Sequence, residues 1–304
     1  MQVLELSQIS ALNRLMAEAP GDGYGTQMES ILEGNQGGQI FVDSVLGLDT
    51  NNGASWATPL KTITKALSIA VQFNTIFIRG TFTEAVSSSL KDIAIIGAGP
   101  TQNDNVWMES APGQTLLTLT GTGWMLSNIK FRVPTTNGIA ISGTGANFTV
   151  IINCLFQGRS GSYQAINWVS GDDVQIIGCK FVYLNTTTYG AAILFSGTSA
   201  NVPSGWLITG CTFAHNLRHI VCTMRQSEIF ANVFQSIGLA SDNVSALTAT
   251  ASLDLSGAGG QFNTVTQNNF GGTYSVAGGY KSSALSDDWH NNYGPSGLTT
   301  VVPA

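Results

Sequence analysis

Ile151-Ile-Asn-Cys-Leu-Phe156 is followed twenty-five residues later by Ile176-Ile-Gly-Cys-Lys-Phe181 and then by Ile208-Thr-Gly-Cys-Thr-Phe213. Upstream stands Leu126-Ser-Asn-Ile-Lys-Phe131. Downstream the pattern continues as Ile229-Phe-Ala-Asn-Val-Phe234 and Val265-Thr-Gln-Asn-Asn-Phe270, and a degraded copy, Asp288-Trp-His-Asn-Asn-Tyr293, closes the series. Successive terminal aromatics are 25, 25, 32, 21, 36 and 23 residues apart. Self-similarity on this scale is the mark of a repeat architecture, with length differences absorbed by loops.

A second motif alternates with the first. It reads Leu117-Thr-Leu119, Ile139-Ala-Ile141, Ile166-Asn-Trp168, Ile193-Leu-Phe195, Ile220-Val-Cys222 and Leu253-Asp-Leu255. Period-2 alternation is a strand with one buried face. In the aromatic motif, positions one, four and six are expected to face inward, with a bend after position two. Asn153, Gly178 and Gly210 suit that bend because Asn and Gly tolerate left-handed backbone angles. Stacked turns of this kind form an all-β, right-handed parallel β-helix. A β-sandwich of short strands is the rival, and the fixed alternation of two motifs weighs against it.

Position four of the aromatic motif reads Ile129, Cys154, Cys179, Cys211, Asn232, Asn268, Asn291, which predicts a thiol ladder continued by an amide ladder. The four cysteines, with Cys222 also on an inward position, show no metal-binding spacing. They read as small buried hydrophobes in a reduced chain rather than as a redox or metal site.

Composition narrows the function classes. Charged residues make up 10% of the 304 residues, against roughly 25% in ordinary soluble domains. A net charge of −6 argues against a nucleic-acid partner. No stretch approaches the length of a membrane span, and Met1 to Pro20 does not read as a signal peptide. Instead Ser7 could cap a short amphipathic helix carrying Ile9, Leu12, Leu15 and Met16. The expected division is residues 1–38, a helix and Gly-rich linker able to serve as an anchor, and residues 39–304, the β-helix.

From Ile40 the chain reads Ile40-Phe-Val-Asp43, Gly47-Leu-Asp49, Asn52-Gly53, Trp56, Thr58-Pro59, Lys61-Thr-Ile63 and Ala66-Leu67. This resembles the opening of pectate-lyase-like β-helix proteins, where a strand and loop lead into a helix that caps the coil. Thr75-Ile-Phe-Ile-Arg-Gly80 and Ile93-Ala-Ile-Ile-Gly-Ala-Gly99 resemble that family's first turns. The family includes lyases, hydrolases, adhesins and bacteriophage tailspikes, so the resemblance implies fold more firmly than function.

In enzymes of that family, chemistry sits on the outer face of one sheet and its adjoining loops. Here the outward positions of the alternating motif are expected to be Thr118, Ala140, Asn167, Leu194, Val221 and Asp254, a poor platform for the two carboxylates of a glycosidase. No catalytic residue, metal or cofactor is assigned. The weak catalytic candidates are His215, Arg218, His219, Asp242 and Asp254, and the glycan-binding candidates are Arg159, Tyr163, Tyr183 and Tyr189. Asp172 and Asp173 read as turn formers. Outward apolar residues Ile152, Leu155, Ile177, Phe230 and Val233 form an expected stripe for oligomerisation, a trimer by analogy with tailspikes. The resemblance and the reduced thiols together suggest a bacteriophage virion surface protein, on the head or tail, docked to other virion proteins through its N-terminal segment. The alternative is a tailspike-type protein that binds or cleaves bacterial surface glycan.

Overall fold

Each turn of the chain contributes three short strands, and each strand pairs in parallel with its counterparts one turn before and one turn after. The computed structural model describes residues 38–300 except 109–110, 137, 159–163, 185–190, 199–200, 217, 237–252, 256–259, 273–279, 282–286 and 295–296. The expected helix within Met1–Pro20 therefore lies outside the described residues. No described helix is long and apolar enough to cross a membrane.

The first sheet stacks the opening half of the aromatic motif, for example Met125–Ser127, Val150–Ile152, Gln175–Ile177 and Leu207–Thr209. The second stacks its closing half, Lys130–Arg132, Leu155–Gln157, Lys180–Val182 and Thr212–Ala214. The alternating motif forms the third sheet, from Val86–Ser88 to Tyr280–Lys281. The result is a right-handed parallel β-helix, the hand that right-twisted strands impose on parallel crossovers. The last strand, Gly297–Thr300, turns back antiparallel on Tyr293–Gly294.

The bend between first and second sheets is made by one left-handed residue per turn. Asn128, Asn153, Gly178, Gly210, Ala231, Gln267 and Asn291 have φ between 51° and 63°. That bend directs positions one, four and six inward. Ile151, Cys154 and Phe156 are at most 1% exposed, as are Ile176, Cys179 and Phe181. Fully burying such an apolar side chain contributes about 1.5–3 kcal/mol, so repetition over many turns supplies the core.

The ladders form as stacked acceptors. The Cys154 amide donates to Cys179 Sγ and the Cys179 amide to Cys211 Sγ, each at 3.4 Å. The Cys211 amide donates to Asn232 Oδ1 at 2.9 Å, the Asn232 amide to Asn268 Oδ1 at 3.0 Å, and the Asn268 amide to Asn292 Oδ1 at 3.0 Å. Cys222 is 1% exposed, on the inward position expected for it.

Two registers differ from the sequence reading. Val265 pairs with Trp289, which makes the final copy Trp289-His-Asn-Asn-Tyr-Gly294 and puts Asn292, not Asn291, on the ladder. Tyr293 is consequently 43% exposed and the inward aromatic column ends at Phe270. In the third sheet, Leu117 and Ile166 both pair with Ile141, so Ser142 is the outward residue and Ala140 is buried. The next position is Gly143, where a Cβ would approach the Trp168 ring to 2.4 Å. The indole occupies that space and holds the register.

The N-terminal end is closed by the helix Ile63–Ile69, which buries Ile63, Ala66 and Leu67. Thr62 caps it by accepting the Lys65 amide, the Asp49 carboxylate accepts the Lys61 and Thr62 amides, and Glu84 accepts those of Ile63 and Thr64.

Candidate functional site

The outer face of the third sheet carries Thr118, Ser142, Asn167, Leu194, Val221 and Asp254 in one register row. Among the described residues this row holds one carboxylate, and its neighbours Leu194 and Val221 offer neither a proton nor a ligand oxygen. General acid–base cleavage of a glycosidic bond requires two carboxyl groups flanking it. Among the described residues no group of three or more His, Cys, Asp or Glu is placed to hold a metal ion.

The outer face of the second sheet is different. There the alternation that sends Phe131, Phe156, Phe181 and Phe213 inward sends position five and the residue after the aromatic outward. A groove of about 450 Å³ opens on this face, within the range of small-molecule sites. Lys130, Leu155, Lys180 and Thr212 form one row of its floor, and Gln157, Val182, Ala214 and Gln235 form the next. Tyr183 and His215 form its edge.

Tyr183 and His215 occupy equivalent places on neighbouring turns, just past the strands Lys180–Val182 and Thr212–Ala214. Both are left-handed, at φ 61° and 56°. The Tyr183 amide donates to the Ala214 carbonyl and the His215 amide to the Gln235 carbonyl, both at 3.3 Å. Their rings stack with centroids 4.8 Å apart and planes 19° from parallel. Tyr183 is 46% exposed, so the pair presents an aromatic edge to solvent. Lys130 Nζ donates to Asn103 Oδ1 at 3.0 Å. Partial burial, and then the like charge of Arg132, hold the Lys130 ammonium below its ordinary pKa.

The structure therefore brings Tyr183 and His215 together and disperses the other candidates. His219 lies inside the coil, 1% exposed, with its ring tilted against the stacked rings of Phe213 and Phe234. Burial pushes its pKa down to about 3, so it is a neutral core residue. Its expected place in a loop groove is corrected: His219 directly precedes Ile220, the first residue of the strand Ile220–Val221, and its ring is buried in the coil with that strand. Arg218 is half-buried, and its carbonyl accepts the Ala192 amide. Asp254 sits on the third sheet, away from the Tyr183–His215 pair. Arg159, Tyr163, Tyr189 and Asp242 lie outside the described residues. Asp172 accepts the Ser204 amide and hydroxyl, and Asp173 is left-handed, in keeping with turn-forming roles.

The apolar stripe is split by the left-handed bend into two faces. Ile152 and Ile177, on the first sheet, are only 8% and 3% exposed and cluster with Ala94, Met125 and Val150. Their expected exposure does not hold in a single chain. Phe230 is half-buried on the same sheet, whereas Leu155 and Val233 are half-buried on the second, where Leu155 floors the groove.

Lys130, Gln157, Lys180 and Gln235 were not singled out by the sequence reading as site residues. The available signal was a lysine at position five on two alternate turns. Only the register shows that these lysines share one row.

No protein-family model matches the chain, and no curated protein does. Solved structures do. The lacto-N-biosidase from Eubacterium ramulus superposes with a TM-score of 0.64 at 12% identity over 90% of this chain and 58% of its own. ORF18 of Geobacillus virus E2 gives 0.58 at 12% identity, covering 91% and 64%. The pectate lyase Pel9A gives 0.52 at 12% identity, covering 84% and 79%. The chain thus spans about three fifths of the length of the first two. At this identity the likeness is one of fold, and that fold is the pectate-lyase-like parallel β-helix.

Proposed function

We propose that the chain is a structural surface protein of a bacteriophage particle, and that its solenoid binds a saccharide without cleaving it. The observation that carries this reading is the groove on the second sheet, whose described lining holds no acid. An aromatic edge of Tyr183 and His215, the amides of Gln157 and Gln235, and two lysines suit the apolar faces and hydroxyls of sugar rings. Among the described residues no carboxylate lines that groove to act as acid or base.

Three comparisons add support. A protein of Geobacillus virus E2 shares the fold, and so do enzymes named for action on polysaccharide and oligosaccharide. In this reading the protein assembles as a homo-oligomer, a trimer by analogy, and residues 1–38 attach it to other virion proteins. The test has two arms. Immunogold labelling of phage particles carrying the chain is expected to decorate the head or tail, and unlabelled particles count against the virion role. Incubation with bacterial surface polysaccharides is expected to give binding without chain shortening.

A cleaving enzyme is the second reading, favoured by the lyase and biosidase that share the fold. Release of new chain ends, lost on Asp254→Asn or His215→Ala, would replace the first reading with this one.

A further inference from the structure

The outer face of the second sheet carries charge of one sign. From Lys130–Arg132 through Asn269–Gly272, its two outward rows contain Lys130, Arg132 and Lys180 and no Asp or Glu. Composition does not explain this, because the whole chain has 18 acidic against 12 basic residues. Lys130 and Arg132 lie on the same strand, both pointing outward, so each raises the cost of the other's charge. The one hydrogen-bond partner of Lys130 Nζ shown is a neutral amide, Asn103. Lys180 is exposed and sits in the same row two rungs on. With parallel strands stacked about 4.8 Å apart, the two lysines repeat roughly every 9–10 Å along the solenoid axis.

We infer that the groove recognises an acidic saccharide, laid along the solenoid axis, with Lys130 and Lys180 meeting anionic groups and Tyr183 lying against a sugar ring. This rests on the reading of the groove as a saccharide site. Its charge can be carboxylate or phosphodiester, since a lysine ammonium is a point charge that serves either. Three cations on a chain of net charge −6 are too few for the many phosphate contacts of a nucleic acid. The amides of Gln157 and Gln235 remain for hydroxyl groups, and the Tyr183–His215 stack supplies the apolar surface.

The test is calorimetric titration of the full chain with four probes: alginate oligomers, polysialate oligomers, teichoic acid oligomers, and carboxyl-reduced alginate as the neutral arm. Binding to a carboxylate or phosphodiester probe is expected, weakening as salt rises. The Lys130→Gln/Lys180→Gln double variant is expected to bind about tenfold or more weakly. Lys61→Gln, which removes the same kind of charge from an exposed position at the capped end, is expected to bind normally. Equal binding of the neutral probe, lost on Tyr183→Ala, overturns the charge inference and leaves the saccharide reading standing. Acidic binding that the double variant retains also overturns it. Absence of binding to every probe removes both.

Discussion

The rings of Phe156 and Phe181 lie with centroids 4.8 Å apart and planes 3° from parallel, although the two residues are 25 positions apart in the chain. The separation equals the spacing of stacked strands, so the rung geometry sets the ring contact rather than the preference of isolated rings for offset or edge-on packing. The column runs from Trp107 through Phe131, Phe156, Phe181, Phe213 and Phe234 to Phe270, with centroid distances of 4.8–5.8 Å. Each ring is packed by the turns above and below.

Phe181→Ala opens a cavity that two turns must share. It is expected to cost about 3–5 kcal/mol. Phe270→Ala, at the end of the column next to Gly294, is expected to cost less. Urea denaturation of both variants checks the order, and equal losses would mean that the column does not act as a stack.

The thiol ladder accepts amide protons where the next turns use amide oxygens. Cys179→Ala leaves the Cys154 amide without its acceptor inside the coil and is expected to cost about 1–3 kcal/mol. Cys211→Asn extends the Asn232 ladder by one rung and is expected to be tolerated within roughly 1 kcal/mol. Burial pushes the Cys154, Cys211 and Cys222 thiols up, away from the reactive thiolate. A thiol reagent is therefore expected to label them only after unfolding, and rapid labelling of native protein would contradict the buried ladder.

His219 makes stability depend on pH. Its folded pKa of about 3 lies below the ordinary 6.5, so between these values the unfolded chain binds a proton that the folded chain refuses. The His219 contribution to stability is present in full above pH 6.5 and is lost as pH falls towards 3. The slope from this residue approaches about 1.4 kcal/mol per pH unit. His219→Leu is expected to flatten the stability profile between pH 4.5 and 6.5. An unchanged slope would place the imidazole in contact with water.

The bend residue is a backbone requirement that can be isolated. A Cβ at Gly210 would come no closer than 3.7 Å to Gly178 N, so Gly210→Ala meets no clash and pays only for φ 63°. A loss of about 1–2 kcal/mol is expected. Ala231 holds φ 54° with a Cβ, and Ala231→Gly is expected to be neutral or stabilising by up to about 1 kcal/mol. Thermal melts should fall for Gly210→Ala and stay level or rise for Ala231→Gly.

Much of the coil was legible from residue order because its rule is local. Alternation within three residues states which side chains point inward, and the recurrence of Ile, Cys or Asn, and Phe marks each turn. The errors fell where a motif had decayed or where two apolar residues competed for one inward place. Ile139 and Ile141 look equally suited to the row, and the contact of Trp168 with Gly143 chooses Ile141. The stretch from Asp288 to Gly294 offers two alignments, and the pairing of Val265 with Trp289 chooses one.

The groove was far less legible. Tyr183 and His215 carried a visible hint, since each follows its motif at the same offset, but nothing local ties Lys130 to Lys180 or separates His219 from the surface.

Residue order alone was enough to establish the solenoid, the inward columns and the bends, because strand alternation and left-handed turns are properties of a few neighbouring residues. The tertiary structure alone decided which side chains from different turns become neighbours: the acid-free row of Lys130 and Lys180, the Tyr183–His215 stack, and the burial of Ile152, Ile177 and His219. Contacts between turns depend on register across intervals of more than twenty residues, and that register is chosen by packing inside the coil rather than by the outward residues that would meet a ligand.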